Sequence, residues 1–309
     1  MKGATRVAII GAGHMGRLHA EKFSRCEGAE LVAVVDPDAA RAEAVAKPHG
    51  ARAFLHFKEI FSLADAAVIA APTERHHEIA AACLGAGLHV LVEKPIARTL
   101  QEADELVALA AKQDRVLEVG HVERYNRAVL ALFERLNRPV FIDAERLSQF
   151  KQRGADVDVI LDVMIHDLDL AAGLARSPVE RISACGFSVL TGDIDIANVR
   201  IEFESGCVAN ISASRVSQTP VRKLRVFQND LYVSADLQGG KLRFVRRRDG
   251  RIEESEERFE GDALSAQAAA FVAAMRATGP RPRGHDGRRA LELALEVGRL
   301  VRERMKRVA

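Results

Sequence analysis

Three glycines in the run Gly11-Ala12-Gly13-His14-Met15-Gly16 follow the apolar stretch Val7 to Ile10, and an acid, Asp36, closes the next apolar stretch, Leu31 to Val35, twenty residues after the last glycine. Residues of these types at this spacing can bind a dinucleotide. The first glycine permits a tight turn, the second lets the backbone approach a pyrophosphate, and the third lets the following helix pack close on a sheet with its N-terminal amides toward the anion. Strand, turn, helix, strand and acid fall in the expected order, which a lone glycine-rich turn would not provide. The contacts expected to a cofactor are therefore Gly11, Gly13, His14, Met15, Gly16 and Asp36. A carboxylate at the end of the second strand accepts hydrogen bonds from a ribose diol and repels a 2'-phosphate, so Asp36 favours NAD over NADP. The competing signal is Arg17 and Arg41, either of which can lie near a 2'-phosphate.

Three further groups have residue types that can do chemistry. Pro72-Thr73 with His76 follows the apolar run Ala66 to Ala70, and Glu93-Lys94-Pro95 follows the run His89 to Val92. Both stand at the carboxyl edge of a parallel sheet, where an open α/β fold puts its ligands. The proline keeps Lys94 out of helical geometry and permits a cis Lys94–Pro95 bond. Without further support, a lysine after a strand is as well explained as a solvated end residue. The third group is the segment Asp162 to Asp169. On an α-helix, at roughly 100° per residue, Asp162, His166 and Asp169 share one face, and Leu161, Ile165, Leu168 and Ala172 form an apolar stripe beside it. Such a face is either simply solvated, or Asp162 orients an imidazole suited to act as a general base near neutral pH.

These residues need a frame, and the pattern supplies one. Through about residue 120, short apolar runs alternate with amphipathic stretches, the mark of βαβ units. The runs are Val7 to Ile10, Leu31 to Val35, Ala66 to Ala70, His89 to Val92 and Val116 to Val119. The helical stretches between them are His14 to Arg25, Asp38 to Lys47, Glu74 to Leu84 and Thr99 to Lys112, the last opening with Thr99 and Glu102 in capping-box register. In the second half the period becomes two: Val199, Ile201 and Phe203, then Ala209, Ile211 and Ala213 across a Glu204-Ser205-Gly206 turn, then Leu224 and Val226, and Leu231, Val233 and Ala235 across Gln228-Asn229-Asp230. Asp249-Gly250 marks another hairpin. The polar stretch Ser148 to Asp158 lacks periodicity and is expected to be a mobile loop. Two helices, about 262–277 and 286–305, close the chain around the breaker-rich Gly279 to Gly284. The expected division is a doubly wound parallel α/β domain over 1–121 and an α+β domain on an open antiparallel sheet over 122–309, with the last helix packing back on the first domain.

Composition limits the functions available. With 309 residues the chain is long enough for two domains of roughly 150 residues each. Lys plus Arg (45) nearly balances Asp plus Glu (43), so a net charge of +2 offers no field to recruit nucleic acid or an anionic membrane. The basic tract Arg243 to Arg251 straddles a hairpin turn without interleaved aromatics and reads as a strand end that discourages edge pairing. No window approaches 18 uninterrupted apolar residues, and Cys26, Cys83, Cys185 and Cys207 have no metal-site or disulfide spacing. These features predict an unprocessed, soluble, cytoplasmic protein without a metal.

Together the motifs resemble those of the glucose-fructose oxidoreductase and inositol dehydrogenase family, the Gfo/Idh/MocA oxidoreductases. The resemblance is carried by Gly11 to Gly16, Ala71-Pro72-Thr73 with His76, Ala86 to Pro95 and Asp162 to Asp169. It implies a Rossmann domain for NAD, with Pro72, Thr73, His76, Glu93 and Lys94 also at the cofactor, and a catalytic Lys94 and His166 with Asp162 beside it. It further implies a C-terminal sheet that makes a homodimer or homotetramer, to which the apolar alternation of residues 199–235 adds an argument for burial against a partner. Thr73 stands where asparagine is frequent in the family, and Met164 where a glycine is common. Gly120 to Asn126, Leu161 to Asp169 and Ala213 to Ser217 are most similar to members acting on nucleotide sugars, particularly UDP-N-acetylglucosamine 3-dehydrogenases, whose 3-keto product feeds an aminotransferase on the way to diamino-sugar lipid A. That likeness makes Arg124, Asn126, Asp162, His166 and Arg215 the candidate substrate contacts, with Arg222 and Lys223 as further donors. A free sugar, polyol or inositol is the alternative substrate. An NAD-binding sensor without turnover is the alternative of another class, and it would not need Lys94, Asp162 and His166.

Overall fold

Aliphatic runs too short and too continuous for helices become the strands of a parallel sheet buried on both faces. In the computed structural model these are β1 (Thr5–Ile10), β2 (Ala29–Val35), β4 (Ala66–Ile69), β5 (His89–Val92) and β6 (Leu117–Val119); the short, largely exposed β3 (Arg52–Phe54), which the pattern did not mark, adds an edge, and the order is β3-β2-β1-β4-β5-β6. Every pairing is parallel, which is a doubly wound arrangement with its switch point between β1 and β4. Four helices cross between strands: α1 (His14–Ser24), α2 (Ala39–Ala46), α3 (His76–Gly85) and α4 (Leu100–Lys112). The capping box of α4 is present, with Thr99 Oγ1 accepting from the Glu102 amide at 3.2 Å and the Glu102 carboxylate accepting from the Thr99 amide at 3.1 Å. The structure describes residues 3–150 and 157–308. Positions 151–156 of the stretch expected to be a mobile loop lie outside the described residues.

The chain clusters into two units, one running to Val122 and including Asp262–Arg289, the other comprising Glu123–Gly261 and the residues from Ala290 on. This differs from a division at 121/122. The helix Ala263–Arg276 adds Ala268, Phe271, Val272 and Met275 to the core of the first unit, and the Phe271 ring meets Phe23 of α1 edge-on at 6.3 Å. The final helix, expected to return to the first domain, does so in its first turn, where Gly287 lies against Val119 and Arg288 pairs with Asp104 at 2.8 Å, and from Ala290 on it places Ala290, Leu293, Ala294, Val297 and Val301 in the second unit's core. Both helices are amphipathic, so periodicity alone did not tell which sheet each would cover.

The second unit contains α5 (Arg127–Arg135), β7 (Phe141–Leu147), α6 (Ile165–Ala175), β8 (Val179–Phe187), β9 (Ile196–Phe203), β10 (Val208–Ser214), β11 (Val221–Gln228), β12 (Leu231–Asp236), β13 (Lys241–Arg248) and β14 (Arg251–Arg258). Counting Ala263–Arg276 as α7, the last helix is α8 (His285–Val308). The eight strands are ordered β14-β13-β12-β11-β7-β10-β9-β8. β7 and β10 run parallel and the other neighbours antiparallel, so the sheet is mixed. Val199, Ile201, Ala209, Ile211, Leu224 and Val233 lie in one core with residues of α5, α6 and α8. The apolar alternation therefore serves the unit's own helices and is no argument for a partner. The other face is polar, with Asn198 donating to Ser212 Oγ at 2.9 Å and Arg225 pairing with Asp143 and Glu145, and it ends in an aromatic group of Phe141, Phe227 and Tyr232 with centroids 5.6 and 4.8 Å apart. At the edge, Arg243 and Arg246 of β13 stand opposite Glu256 and Glu253 of β14, and Arg243 pairs with Glu254 at 2.6 Å. Among the described residues, no helix is long and apolar enough to cross a membrane, and no cluster of His, Cys, Asp or Glu is placed to hold a metal ion.

Candidate active site

At the carboxyl edge of the first sheet, Gly11 has φ +100°, and a Cβ there would lie 2.5 Å from the Ala70 carbonyl oxygen. A Cβ on Gly16 would collide with the Gly11 carbonyl, so α1 can approach β1 only because that position is glycine. Gly13 is different: nothing lies within 4 Å of where its Cβ would be. It is also the N-cap of α1, which has no side-chain cap. An open cradle in front of first-turn amides that no side chain caps fits a pyrophosphate. Asp36 is buried, and its carboxylate accepts from the Ala12 amide at 2.8 Å and the Asp38 amide at 2.9 Å, which holds it at this turn. Arg41 bonds Asp38 at 2.8 Å and lies 3.9 Å from Asp36. Its charge is already matched by two acids, which weakens it as a 2'-phosphate partner.

The loops after β4 and β5 are tied together by His76, which is 1% exposed at the start of α3. Its Nδ1 lies 2.8 Å from the Pro95 carbonyl and its Nε2 2.9 Å from that of Ala71. Burial pushes this imidazole's pKa down, against the opposing pull of the two carbonyls and of Glu93. His76 thus braces the backbone on both sides, while Pro72 and Thr73 form the turn that precedes it. The Lys94–Pro95 peptide is cis. Glu93 is buried beside Gly120, where a Cβ would come within 2.9 Å of its Oε2. Its Oε1 lies 2.7 Å from Nε2 of His19, a residue the sequence reading did not single out. The available signal was a polar residue on the otherwise apolar stripe Gly16, Ala20, Phe23 of α1.

In the second unit the segment carrying His166 is not a plain α-helix. Ile160–Met164 forms a π turn, begun by Asp158, whose carboxylate accepts from the Ile160 amide at 3.0 Å and the Leu161 amide at 2.9 Å, and α6 starts only at Ile165. Asp162 lies in the wide turn, so the segment that carries it departs from the plain α-helix expected over Asp162 to Asp169. Asp169 is 2% exposed and holds Arg124 through two bonds of 2.6 Å. Asp167, also 2% exposed, holds Arg146 at 2.7 and 2.9 Å, and Arg146 bonds Glu123 at 2.7 Å. Burial works against the charge on Arg146, but attraction and hydrogen bonding from Asp167, then Glu123, outweigh it and its pKa is raised. The half-buried His166 is thus followed by two buried, ion-paired acids, at the next residue and at the third.

The other candidate contacts are engaged within the second unit. Asn126 caps α5 through the Ala128 amide at 3.0 Å and donates to the Leu237 carbonyl at 3.2 Å. Buried Arg215 donates to the Val157 carbonyl and lies 3.7 Å from Asp195. Burial raises the pKa of Asp195, but donors from Thr191, Leu190 and Val189 outweigh it and bring the value down to about 2. Arg222 lies 3.6 Å from Glu123 and is half exposed.

Comparison with known proteins agrees with this layout. Residues 5–121 match the model of the GFO/IDH/MocA oxidoreductase family, NAD-binding Rossmann fold, and residues 131–230 match the GFO/IDH/MocA C-terminal domain. The chain is 36% identical to a UDP-N-acetylglucosamine 3-dehydrogenase from Acidithiobacillus ferrooxidans over 94% of this chain and 96% of that protein. A solved structure of the enzyme of that name from that organism superposes with a TM-score of 0.91 over 97% of this chain and 98% of the other. A myo-inositol 2-dehydrogenase from Thermotoga maritima is 29% identical over 68% of each chain. The fold is also shared with scyllo-inositol dehydrogenase from Lactobacillus casei, at a TM-score of 0.83 and 17% identity over 97% of this chain and 98% of the other.

Proposed function

The chain belongs to the GFO/IDH/MocA oxidoreductase family, as an NAD-dependent sugar dehydrogenase, and from that premise we propose that it oxidises the 3-hydroxyl of UDP-N-acetylglucosamine to a 3-keto sugar. The observation that carries the substrate reading is the similarity to a UDP-N-acetylglucosamine 3-dehydrogenase over 94% of this chain, second domain included, whereas the Thermotoga inositol enzyme matches over 68%. NAD, when bound, supplies the acceptor for the hydride that leaves the carbinol carbon. Gly11, Gly13, His14, Met15, Gly16 and Asp36 hold it at the turn, with Pro72, Thr73 and Glu93 at the neighbouring loops. His166 takes the hydroxyl proton, with Asp162 fixing its tautomer, and Lys94 hydrogen-bonds the oxygen as it becomes a carbonyl. The opposite assignment, Lys94 as base, is separated from this one by the pH profiles of the two single variants. Arg124 and Arg215 contribute as ion-paired parts of the second unit's frame, and Asn126 as the cap of α5. The 3-keto product suits an aminotransferase as the next step, on the way to a diamino-sugar lipid A.

The test is purified protein with NAD against a panel of UDP-sugars, free hexoses and inositols, followed as NADH absorbance with a carbonyl trap to pull the equilibrium. NADH should form with UDP-N-acetylglucosamine well above the rest. Turnover of an inositol or free hexose with none on any UDP-sugar would refute the substrate.

A further inference from the structure

Lys94 stands between two residues that are each held by a buried histidine: His76 at the Pro95 carbonyl, 2.8 Å, and His19 at the Glu93 carboxyl, 2.7 Å. The two oxygens of Glu93 have different partners. Oε1 meets His19 Nε2, and Oε2 turns back to accept the backbone N–H of Lys94 itself at 3.3 Å. Gly120 closes the slot on the other side, since even a methyl group there would come within 2.9 Å of Oε2. The His19 ring is set by Phe23, whose centroid is 6.3 Å away.

We propose that His19 is a positioning residue for Lys94: by bonding Glu93 Oε1 it keeps the carboxyl folded onto the Lys94 amide and so sets the direction in which Lys94 leaves the end of β5. The inference rests on the catalytic reading of Lys94 given above. A histidine is a poor choice merely to fill this place, because its neighbours on the buried stripe of α1 are Gly16, Ala20 and Phe23, and an aliphatic side chain would fill it without burying ring nitrogens. The ring's hydrogen bond among the described residues is the one to Glu93. Without it, the buried carboxyl loses the partner that fixes its rotamer, and rotation of Glu93 releases the bond to the Lys94 amide.

The test uses the full-length protein with its lysines reductively 13C-methylated, the Lys94 signal being identified by its loss in Lys94→Arg. Two variants of similar polarity discriminate. His19→Gln puts an amide donor where Nε2 stood and keeps the reach to Glu93, whereas His19→Asn puts it where Nδ1 stood, out of reach. His19→Asn should move the Lys94 signal while leaving the other lysine signals in place. It should also lower kcat by at least about tenfold with KM for NAD within about threefold, the pattern of a misdirected group rather than lost binding. His19→Gln should restore both readouts to within about threefold of wild type. An unmoved Lys94 signal in His19→Asn, or equal behaviour of the two variants, would overturn the proposal. The signal is read without substrate, so it also separates the two claims: a wild type inactive on every UDP-sugar, with a Lys94 signal that moves in His19→Asn, sinks the substrate and leaves the positioning role standing.

Discussion

Arg146→Met should destabilise the protein by about 3–5 kcal/mol, the range for breaking a buried ion pair by removing one partner. The arginine side chain is 7% exposed and serves two acids. Asp167 depends on it for both side-chain bonds, at 2.7 and 2.9 Å, whereas Glu123 retains Asn126 at 3.4 Å and Arg222 at 3.6 Å. Most of the cost therefore falls on Asp167, and Met keeps enough of the arginine stem's volume to avoid adding a large cavity term. The chain has no Trp and two Tyr, so urea unfolding is best followed by far-UV circular dichroism. The pH dependence is a further check. An unpartnered buried carboxyl has its pKa raised in the folded state, so the variant's stability is greatest below the unfolded value near about 3.9 and is lost as pH rises through the folded one. The gap between wild type and variant should widen from pH 5 to pH 7, and adding Asp167→Asn should close part of it. Because Asp167 follows His166 directly, kcat should fall as well. A cost below about 1 kcal/mol at pH 7 would refute the reading of this arginine as the anchor of α6.

Asp36→Ala removes the carboxylate at the end of β2 and should weaken discrimination against NADP by one or two charged hydrogen bonds, about 1.5–3 kcal/mol each, in titrations with the two cofactors; a wild type that prefers NADP would contradict this. Lys94→Ala and His166→Ala should each lower kcat by roughly a hundredfold or more with the NAD dissociation constant within about tenfold, and only the second should abolish a near-neutral limb of the rate profile. Retention of more than about half the wild-type turnover by both would end the mechanism. His89, pushed down to about 4 by burial and then by Arg115 and Arg281, contributes stability that is present above the unfolded histidine value and lost as pH falls through the folded one. His89→Gln should therefore flatten the decline in urea midpoint between about pH 6.5 and 4, and an unchanged slope would exclude it. For assembly, we expect light scattering to give a multiple of the 33.7 kDa chain, reduced by Phe227→Asp with Tyr232→Asp on the open sheet face; the chain mass itself at micromolar protein would defeat a homodimer or homotetramer.

The first unit was readable because its signals are local: Val7 to Ile10 and Leu31 to Val35 are unbroken aliphatic runs, and Gly11, Gly13 and Gly16 are glycines for steric reasons acting within a few residues. Among the elements that the sequence pattern did not mark is one with charge on its inner face. β7 alternates Ile142, Ala144, Arg146 toward the core, and the buried arginine breaks the apolar pattern that would have marked a strand. Asp169 reads as part of a solvated helical face, and Asp167 has no partner within its own helix, until Arg124 and Arg146, 45 and 21 residues away in the chain, arrive to pair with them. The π turn at Ile160–Met164 changes the register of the same segment with no residue type that announces it. His19 is the same case in the first unit, a polar group on an apolar stripe whose partner, Glu93, is 74 residues on. Charges and polar rings on buried faces destabilise a fold unless something holds them, and here they gather beside Lys94 and His166, the two groups on which the proposed chemistry depends. Departure from the simple pattern therefore points to the site as directly as the glycine motif does, and the variants that probe these buried partners test the catalytic assignment without touching either residue.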